Sequence, residues 1–396
     1  MENQVLAQGY RFAGVHSGVK PDPQRLDLAL VVSDRPASAA GVFTRNRVLA
    51  APVRVCKERL PSGQARGVVI CSGNANACTG QRGLDDAIRM TSLAAQSIGC
   101  TPEQMLVCST GVIGRHLPMA EIENGIRTAA DQLESSPAAF TRAAQAILTT
   151  DTHIKVSTRT LTVNGQEIRL TGFAKGAAMI GPNMATLLAF VLTDAAVAPA
   201  TLQALAARTA AQTLNCISVE GHTSTNDTLL LFANGQGPQL EGAALAPFEQ
   251  AVTVVCSDLA RAIAGDAEGA THLIAIQVEG LRNDREAWCV AKAVADSALV
   301  KTALFGADPN WGRIVSAAGY AGVAFEESQL SLWLGDTLLY ENGMPLPFDN
   351  SQVSAWMKNN HELTMRLLFH LGSGQCTFYT CDLSYDYVRI NAEYTT

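Results

Sequence analysis

The segment from Lys175 to Asp194 limits the possible folds more than any other part of the chain. Pro182 and Asn183 are turn-forming residues, so the backbone should bend sharply just before Thr186. The apolar run 187–192 follows directly, which is typical of a segment buried in a strand or a helix. The fold must therefore place Thr186 between an abrupt turn and a core element.

Thr186 supports two interpretations. In the first, it is a buried threonine that opens a helix or a strand. In the second, the peptide bond between Ala185 and Thr186 is cut, and the freed α-amine of Thr186 takes the proton of its own hydroxyl group. That hydroxyl would then be a good nucleophile. Ala185 is small and leaves room around the bond. The residues of this segment leave both interpretations open.

The composition fits a well-buried enzyme. A chain of 396 residues exceeds one ordinary core, so we expect two domains or one large layered body. Apolar residues make up 47% of the chain and charged residues 16%, which argues against disorder. The net charge is −7 and no dense cluster of Lys and Arg occurs, so we expect no nucleic-acid partner. No run of about 18 apolar residues occurs, so we expect no membrane span.

The ten cysteines are scattered, which predicts free thiols in a cytoplasmic protein. There is no Cys-x-x-Cys pair, and no His lies near a pair of cysteines, so we expect no zinc site and no other metal. The first residues show neither a basic region nor an apolar stretch, so we expect no secretory signal.

Strand and helix patterns are mixed along the chain without a regular strand–helix–strand repeat. Apolar runs predict strands at 28–33, 68–71, 105–108, 156–163, 166–170, 273–278, 330–334, 337–340, 365–370, 376–383 and 387–392. Helical periodicity predicts helices at 84–98, 119–135, 138–148, 200–214, 247–264 and 286–299. Asn164-Gly165 is a strong hairpin signal. The mixture favours an α+β fold of layered sheets and helices over a doubly wound parallel sheet.

Several motifs, in a fixed order along the whole chain, carry a resemblance to a known family. They are Phe43-Thr-Arg-Asn-Arg47 with Ala50-Ala-Pro-Val53, Ser72-Gly-Asn-Ala-Asn-Ala-Cys-Thr-Gly80, Ser109-Thr-Gly-Val-Ile-Gly114, Thr149-Thr-Asp-Thr152, the segment around Thr186, Thr223-Ser-Thr-Asn-Asp-Thr228, Glu268-Gly-Ala-Thr271, Asp308-Pro-Asn-Trp-Gly-Arg313 and Asn391-Ala-Glu-Tyr-Thr-Thr396. Together they resemble the glutamate N-acetyltransferase family, the self-cleaving ornithine acetyltransferases of arginine biosynthesis.

The resemblance has implications for the fold and the subunits. It implies sheets between helices, as in self-processing threonine hydrolases, with a smaller C-terminal α/β domain. It implies cleavage between Ala185 and Thr186 into an α chain, 1–185, and a β chain, 186–396, with two copies of each in a heterotetramer. We place the boundary between a larger lobe, about 1–280, and a smaller lobe, about 281–396, loosely near 275–285.

The resemblance also implies an activity. This is acetyl transfer from N2-acetyl-L-ornithine to L-glutamate through an acetyl ester on Thr186, without a cofactor. Some members of the family also use acetyl-CoA as a donor. The alternative is a related threonine-nucleophile aminopeptidase or amidohydrolase, in which water is the acceptor.

The resemblance assigns roles to particular residues. Thr186 is the nucleophile, and the Thr110 hydroxyl and the Gly111 N–H form the oxyanion hole. The substrate contacts are Lys175, Glu268, Asn391, Thr396 and one threonine of the 149–152 segment, either Thr150 or Thr152. Two positions depart from the family's usual pattern: His153-Ile154-Lys155 replaces an aromatic-Pro-Lys sequence, and His222 replaces an acidic residue.

Overall fold

The computed structural model describes residues 5–163, 165–181 and 187–393. Within these residues, a sheet of eight strands carries most of the candidate site. The strands are β1 Tyr10–Val15, β2 Leu28–Phe43, β3 Ser62–Asn74, β4 Met105–Val112, β5 Lys155–Val163, β6 Gln166–Lys175, β7 Leu188–Thr193 and β8 Thr228–Ala233. Their order is β4-β3-β2-β8-β7-β6-β5, and β1 pairs with β2. The long strand β2 pairs with β3 mainly through its first half and with β8 through its second half. It therefore joins two groups of strands.

Alternate side chains of β6, β7 and β8 enter two different cores, because successive residues of a strand point to opposite faces of the sheet. Phe173, Phe190 and Phe232 join the core formed with β1 to β4. Their neighbours Ala189 and Leu231 enter the second core. Both faces of β7 and β8 are thus buried, which explains why the sequences of these two strands are almost entirely apolar.

Helices cover both cores. The first core contains residues of α1 Ala51–Arg59, α2 Gly80–Ile98, α3 Met119–Asp131 and α4 Pro137–Ala146. The second core contains residues of α5 Pro199–Gln212 and α6 Leu245–Gly265. The predicted α+β fold, with sheets between helices, is confirmed. At α4, the Ser136 side chain accepts a hydrogen bond from the Ala139 N–H, and Pro137 occupies the first turn.

A second sheet of six strands, also counted over the described residues, forms the remainder of the body. Its strands are β9 Leu273–Leu281, β10 Ser331–Leu334, β11 Thr337–Glu341, β12 Met344–Pro345, β13 Glu362–Leu368 and β14 Gly374–Cys381, in the order β12-β11-β10-β13-β9-β14. With them lie α7 Asp284–Asp296, α8 Ala298–Phe305, α9 Trp311–Gly319 and α10 Asn350–Asn359. The sheet begins at Leu273, ahead of the lobe boundary placed near 280, and that boundary stays a prediction.

The predicted final strand at 387–392 is wrong, because this segment is helix α11, Tyr385–Glu393. Aromatic and β-branched residues give the segment a strand-like composition. However, the Ser384 hydroxyl accepts a hydrogen bond from the Tyr387 N–H at 3.1 Å, which starts a helix. Within this helix, the Tyr387 side chain packs against the second core.

The segment 286–299, predicted as one helix, forms parts of two helices. Helix α7 ends before Ser297 and α8 begins after it. The Ser297 side chain caps α8 by accepting a hydrogen bond from the Val300 N–H. The predicted hairpin is confirmed by the pairing of Val163 with Gln166, while Asn164 lies outside the described residues. Within the described ranges, every helix is too short or too polar to cross a membrane.

A buried histidine ties the start of the second sheet to its last strand. The Nδ1 atom of His272 lies 2.9 Å from Oδ2 of Asp382, and its Nε2 atom lies 3.2 Å from the Met357 carbonyl oxygen. The Asp382 carboxylate and the Met357 carbonyl oxygen are both acceptors, so these two contacts favour a ring that is protonated on both nitrogens. The hydrogen bond to Asp382 raises the pKa of His272 above its ordinary value, although burial opposes the shift.

This contact predicts a pH-dependent contribution to stability. Because the pKa of His272 is raised in the folded state, its contribution is complete below the unfolded value of about 6.5 and is lost as pH rises through the folded value. The difference in Tm between wild type and His272→Gln should therefore be largest below about pH 6.5 and should shrink as the pH rises above it. The exposed His361 at the start of β13 provides the control variant His361→Gln. A difference that stays constant as the pH rises would contradict the charged pair.

Candidate active site

The candidate site is a pocket of about 130 Å³ at the edge where β4 and β6 end and β8 begins. The described residues that line it are Ala75, Thr110, Gly111, Ile113, Thr149, Thr150, Lys175, Ala178, Met179, Ser224, Thr225, Asn226, Glu268 and Asn391. Residues from distant parts of the sequence therefore meet in one place. They include most of the residues that the family resemblance assigns to the site.

Gly111 occupies a position that only glycine fits. Its φ is +130°, in a region that other residues rarely adopt. A Cβ atom at this position would lie 2.3 Å from the carbonyl carbon of Gly73 on the paired strand β3. The absent side chain lets β4 approach β3 closely and turn its end into the pocket. The Gly111 backbone is therefore fixed at the pocket wall.

Lys175 lies beneath Thr110 and is only 2% exposed. Its Nζ atom donates a hydrogen bond to Oγ1 of Thr110 at 3.4 Å. An ammonium group has no acceptor, so the hydrogen of the Thr110 hydroxyl remains available to a ligand in the pocket. Burial lowers the pKa of Lys175, while the nearby Asp151 carboxylate opposes this shift. The distance from Lys175 Nζ to Asp151 Oδ2 is 4.0 Å.

A buried ion network supports the pocket floor. Lys155 Nζ lies 2.7 Å from Oδ1 of Asp151 and 2.5 Å from Oδ2 of Asp266, with all three side chains buried. Asp151 also accepts hydrogen bonds from the N–H groups of Thr149 and Gly176. These contacts join the loop after α4 to the end of β6 and to the end of α6.

The same ion network distinguishes Thr150 from Thr152, the two candidate substrate contacts. Thr150 lines the pocket. Thr152 instead donates its hydroxyl hydrogen and its N–H to the Asp266 carboxylate, and it is not among the described lining residues. His153, which departs from the family's usual pattern, lies 3.3 Å from the same carboxylate and more than half of its side chain is exposed. The geometry therefore favours Thr150 as the pocket threonine.

Glu268 and Asn391 form the opposite wall. The Nδ2 atom of Asn391, on α11, donates to Oε2 of Glu268 at 3.0 Å. The Glu268 N–H donates to the Ala177 carbonyl oxygen at 2.9 Å, which fixes the loop beside the end of β6. Gly269 permits this arrangement, because a Cβ atom there would lie 2.4 Å from the Tyr387 backbone nitrogen. The helix that replaces the predicted strand thus brings Asn391 to the pocket.

Asn226 joins the two groups of strands at the site, and sequence analysis gave it no role. Its Nδ2 atom donates to the carbonyl oxygens of Ala75 at 2.6 Å and Ser109 at 2.9 Å. It therefore links the start of β8 to the ends of β3 and β4. The motif Thr223–Thr228 was the signal that marked this segment, but the motif alone did not show which polar side chain crosses to another strand.

Three predicted site residues, Ala185, Thr186 and Thr396, lie outside the described residues, as does the predicted turn at Pro182-Asn183. The chain is described again from Leu187, whose N–H donates to Oδ1 of Asp227 at 3.2 Å. Within the described part of the chain, no group of three or more His, Cys, Asp or Glu side chains is arranged to hold a metal ion.

The close approach of β4 to β3 at Gly111 predicts that one added methyl group will strongly lower the stability of the protein. Gly111→Ala should lower stability by more than about 1 kcal/mol, the ordinary penalty for a positive φ, because the methyl group also collides with β3. Turnover should be lost with it. Gly114→Ala is the matched control, since φ is +82° there and a Cβ atom would meet nothing within 4 Å. Equal losses of Tm in the two variants would show that the collision with Gly73 is unimportant.

Comparison with known proteins assigns the family. The model of the ArgJ family matches residues 11–396. The chain is 47% identical over 395 residues to the arginine biosynthesis bifunctional protein ArgJ of Geobacter sulfurreducens, covering 98% of this chain and 99% of that protein. It is 43% identical to the protein of the same name from Rhodopirellula baltica, covering 100% and 97%. The crystal structure of arginine biosynthesis bifunctional protein ArgJ from Bacillus halodurans is 40% identical with a TM-score of 0.50, covering 52% of this chain and 98% of that chain. This chain therefore belongs to the ArgJ family.

Proposed function

We propose that this protein is an acyltransferase of arginine biosynthesis. It transfers the acetyl group of N2-acetyl-L-ornithine to L-glutamate and gives L-ornithine and N-acetyl-L-glutamate. The observation that carries the proposal is the meeting of Thr110, Gly111, Lys175, Glu268 and Asn391 in one pocket. The relatives' shared name, arginine biosynthesis bifunctional protein, supports the same pathway.

The enzyme first cuts its own chain. The Thr186 hydroxyl attacks the carbonyl carbon of Ala185, the bond from that carbon to the Thr186 nitrogen breaks, and the nitrogen gains a proton. Water then hydrolyses the resulting ester and leaves an α chain, 1–185, and a β chain with a free α-amine. The B. halodurans chain supports this step, because nearly all of it corresponds to about half of the present chain.

Acetyl transfer uses the same groups. The Thr186 hydroxyl attacks the acetyl carbonyl of the donor, and the α-amine of Thr186 takes the hydroxyl proton and passes it to the departing ornithine amine. Negative charge on the carbonyl oxygen is stabilised by the Gly111 N–H and the Thr110 hydroxyl. Lys175 strengthens the second donor, because its hydrogen bond to Thr110 Oγ1 polarises that hydroxyl.

The charges of the pocket suit an amino acid with a cationic side chain. Lys175 is a buried cation and complements an α-carboxylate. Glu268, oriented by Asn391, complements the ammonium group at the far end of ornithine. Thr150 supplies a further polar contact between these walls.

The remaining features of the proposal follow from the family resemblance. No cofactor is needed, since the acetyl group stays on Thr186 between donor and acceptor. Thr396 adds a substrate contact, and acetyl-CoA is a second possible donor. The mature enzyme is a cytoplasmic heterotetramer of two α and two β chains.

Self-cleavage is tested by a single substitution. Thr186→Ala removes the attacking oxygen, so this variant should run as one uncut band of 396 residues. The wild type should give fragments 1–185 and 186–396, identified by N-terminal sequencing. Thr193→Ala, at the other end of β7, is the matched control and should still be cut. Two fragments from Thr186→Ala would exclude Thr186 as the nucleophile of cleavage.

Acetyl transfer is tested by varying the concentration of the acceptor, L-glutamate. One nucleophile that holds the acetyl group between two substrates predicts parallel double-reciprocal lines when N2-acetyl-L-ornithine is varied at several glutamate concentrations. Ornithine release should depend on glutamate and match the formation of N-acetyl-L-glutamate. Release at full rate without glutamate would instead identify an amidohydrolase that uses water. Intersecting lines would indicate direct transfer within a ternary complex.

A further inference from the structure

The pocket has an apolar corner, formed by Ala75 and Ile113, to which the proposed function gives no role. Ala75 directly follows β3, Ile113 directly follows β4, and both line the pocket. The corner lies beside Gly111, one of the two proposed oxyanion donors, because Ile113 is two residues further along the chain. The Ala75 N–H donates to the Val112 carbonyl oxygen at 2.9 Å and so stays next to the end of β4. Neither side chain of the corner can form a hydrogen bond.

A small core supports the apolar corner from behind. Ala75 is only 3% exposed. It and Ile113 pack against buried side chains near the start of α1 and in the loop after β3, namely those of Ala50, Val53 and Ala77. The Ala50 N–H donates to the carbonyl oxygen of Thr225 at 3.0 Å, which ties this core to another part of the pocket wall. Closely packed side chains resist the insertion of even one methylene group, so the corner has a fixed size.

The polar side chains next to the apolar corner are already engaged. The Thr225 hydroxyl donates to Oδ1 of Asn226 at 2.5 Å, and Oγ of Ser224 accepts the Asn226 N–H at 3.1 Å. The Nδ2 atom of Asn226 is held by the carbonyl oxygens of Ala75 and Ser109. On this side of the pocket, the apolar corner is therefore the part that suits an alkyl group.

The planar geometry of an amide gives the apolar corner an occupant. The carbonyl carbon of an N-acyl amino acid carries its oxygen, its nitrogen and its alkyl group in three directions of one plane. In the proposed reaction the oxygen faces Thr110 and Gly111, and the amino-acid part extends from the nitrogen towards Glu268. The third direction belongs to the alkyl group. The corner beside Gly111 is the apolar surface next to the oxyanion donors.

We propose that Ala75 and Ile113 form an acyl subsite that holds the methyl group of the acetyl donor and excludes longer acyl chains. The inference rests on the proposed function, because it concerns the acyl group that this reaction transfers. The bond from the acyl carbon to the ornithine nitrogen breaks, a bond to the glutamate nitrogen forms, and a proton passes from the glutamate amine to the ornithine amine. The alkyl group is unchanged throughout. The subsite therefore selects the acyl group and takes no part in the bond changes.

The test compares N2-acetyl-L-ornithine with N2-propionyl-L-ornithine as donors, with glutamate as the acceptor. One methylene group in an apolar pocket changes kcat/KM by about 10- to 200-fold, so the wild type should favour the acetyl donor by about tenfold or more. Ile113→Ala makes room for the extra methylene group. The propionyl-to-acetyl ratio of kcat/KM should therefore rise by about tenfold or more in this variant.

Met179→Ala is the matched control, because it removes a similar apolar volume from another wall. Met179 also lines the pocket, but it follows Ala177, whose carbonyl oxygen accepts the Glu268 N–H. It therefore lies on the side of the amino-acid part. Its variant should change the kcat/KM of both donors by the same factor and leave their ratio at the wild-type value.

Ala75→Val tests the subsite in the opposite direction. The added methyl groups occupy the space of the acetyl methyl group, which N2-formyl-L-ornithine lacks. The formyl-to-acetyl ratio of kcat/KM should therefore rise by about tenfold or more. A partial loss of folded enzyme lowers the rates with both donors equally, so it leaves the ratio unchanged. If Ile113→Ala does not fold, Ile113→Val takes its place, and the propionyl-to-acetyl ratio should still rise.

The outcomes separate this inference from the proposed function. A ratio that stays at the wild-type value in a folded Ile113 or Ala75 variant would overturn the inference, as would a wild type that uses the acetyl and propionyl donors equally well. A higher propionyl-to-acetyl ratio in Met179→Ala would place the alkyl group at the other wall and would also overturn it. A wild type that transfers no acetyl group from ornithine to glutamate would instead contradict the proposed function.

Discussion

Two buried lysines and two buried aspartates hold the candidate site together. Lys155 lies between Asp151 and Asp266, and Asp151 also faces Lys175. Removing charges from water costs several kcal/mol per ion, so such groups persist only when their partners are in place. The chain therefore tolerates little movement among these four side chains, and each element that carries one of them is fixed relative to the others.

This constraint couples the parts of the pocket. Lys175 contacts the hydroxyl group of Thr110, while Asp266 ends the helix whose following loop carries Glu268. The proposed oxyanion donor and the proposed contact for the cationic end of the substrate are thus linked through one chain of ion pairs. A single network can set both the position of the reacting carbonyl group and the length of amino acid that reaches it, which is the kind of preorganisation that catalysis requires.

Sequence analysis correctly predicted those features of the fold that local sequence patterns determine. Long apolar runs and the Asn164-Gly165 hairpin signal located most strands of both sheets, and the family motifs named the residues that meet in the pocket. The structure was needed where the deciding contact is distant in sequence. The choice between Thr150 and Thr152 as the pocket residue depends on the contact of Thr152 with the distant Asp266. Residues 387–392 have a strand-like composition, although no strand pairs with them in the described structure. Asn226 was missed because the carbonyl oxygens that it binds, those of Ala75 and Ser109, are distant from it in sequence.

The central claim is that Thr186 carries the acetyl group between the two substrates. The most direct measurement is the mass of the 186–396 chain after the enzyme is mixed with N2-acetyl-L-ornithine alone and quenched in acid. The account predicts a gain of one acetyl group on the N-terminal residue of that chain, which disappears when glutamate is added before the quench. An unmodified 186–396 chain, from enzyme that releases ornithine normally once glutamate is present, would contradict it.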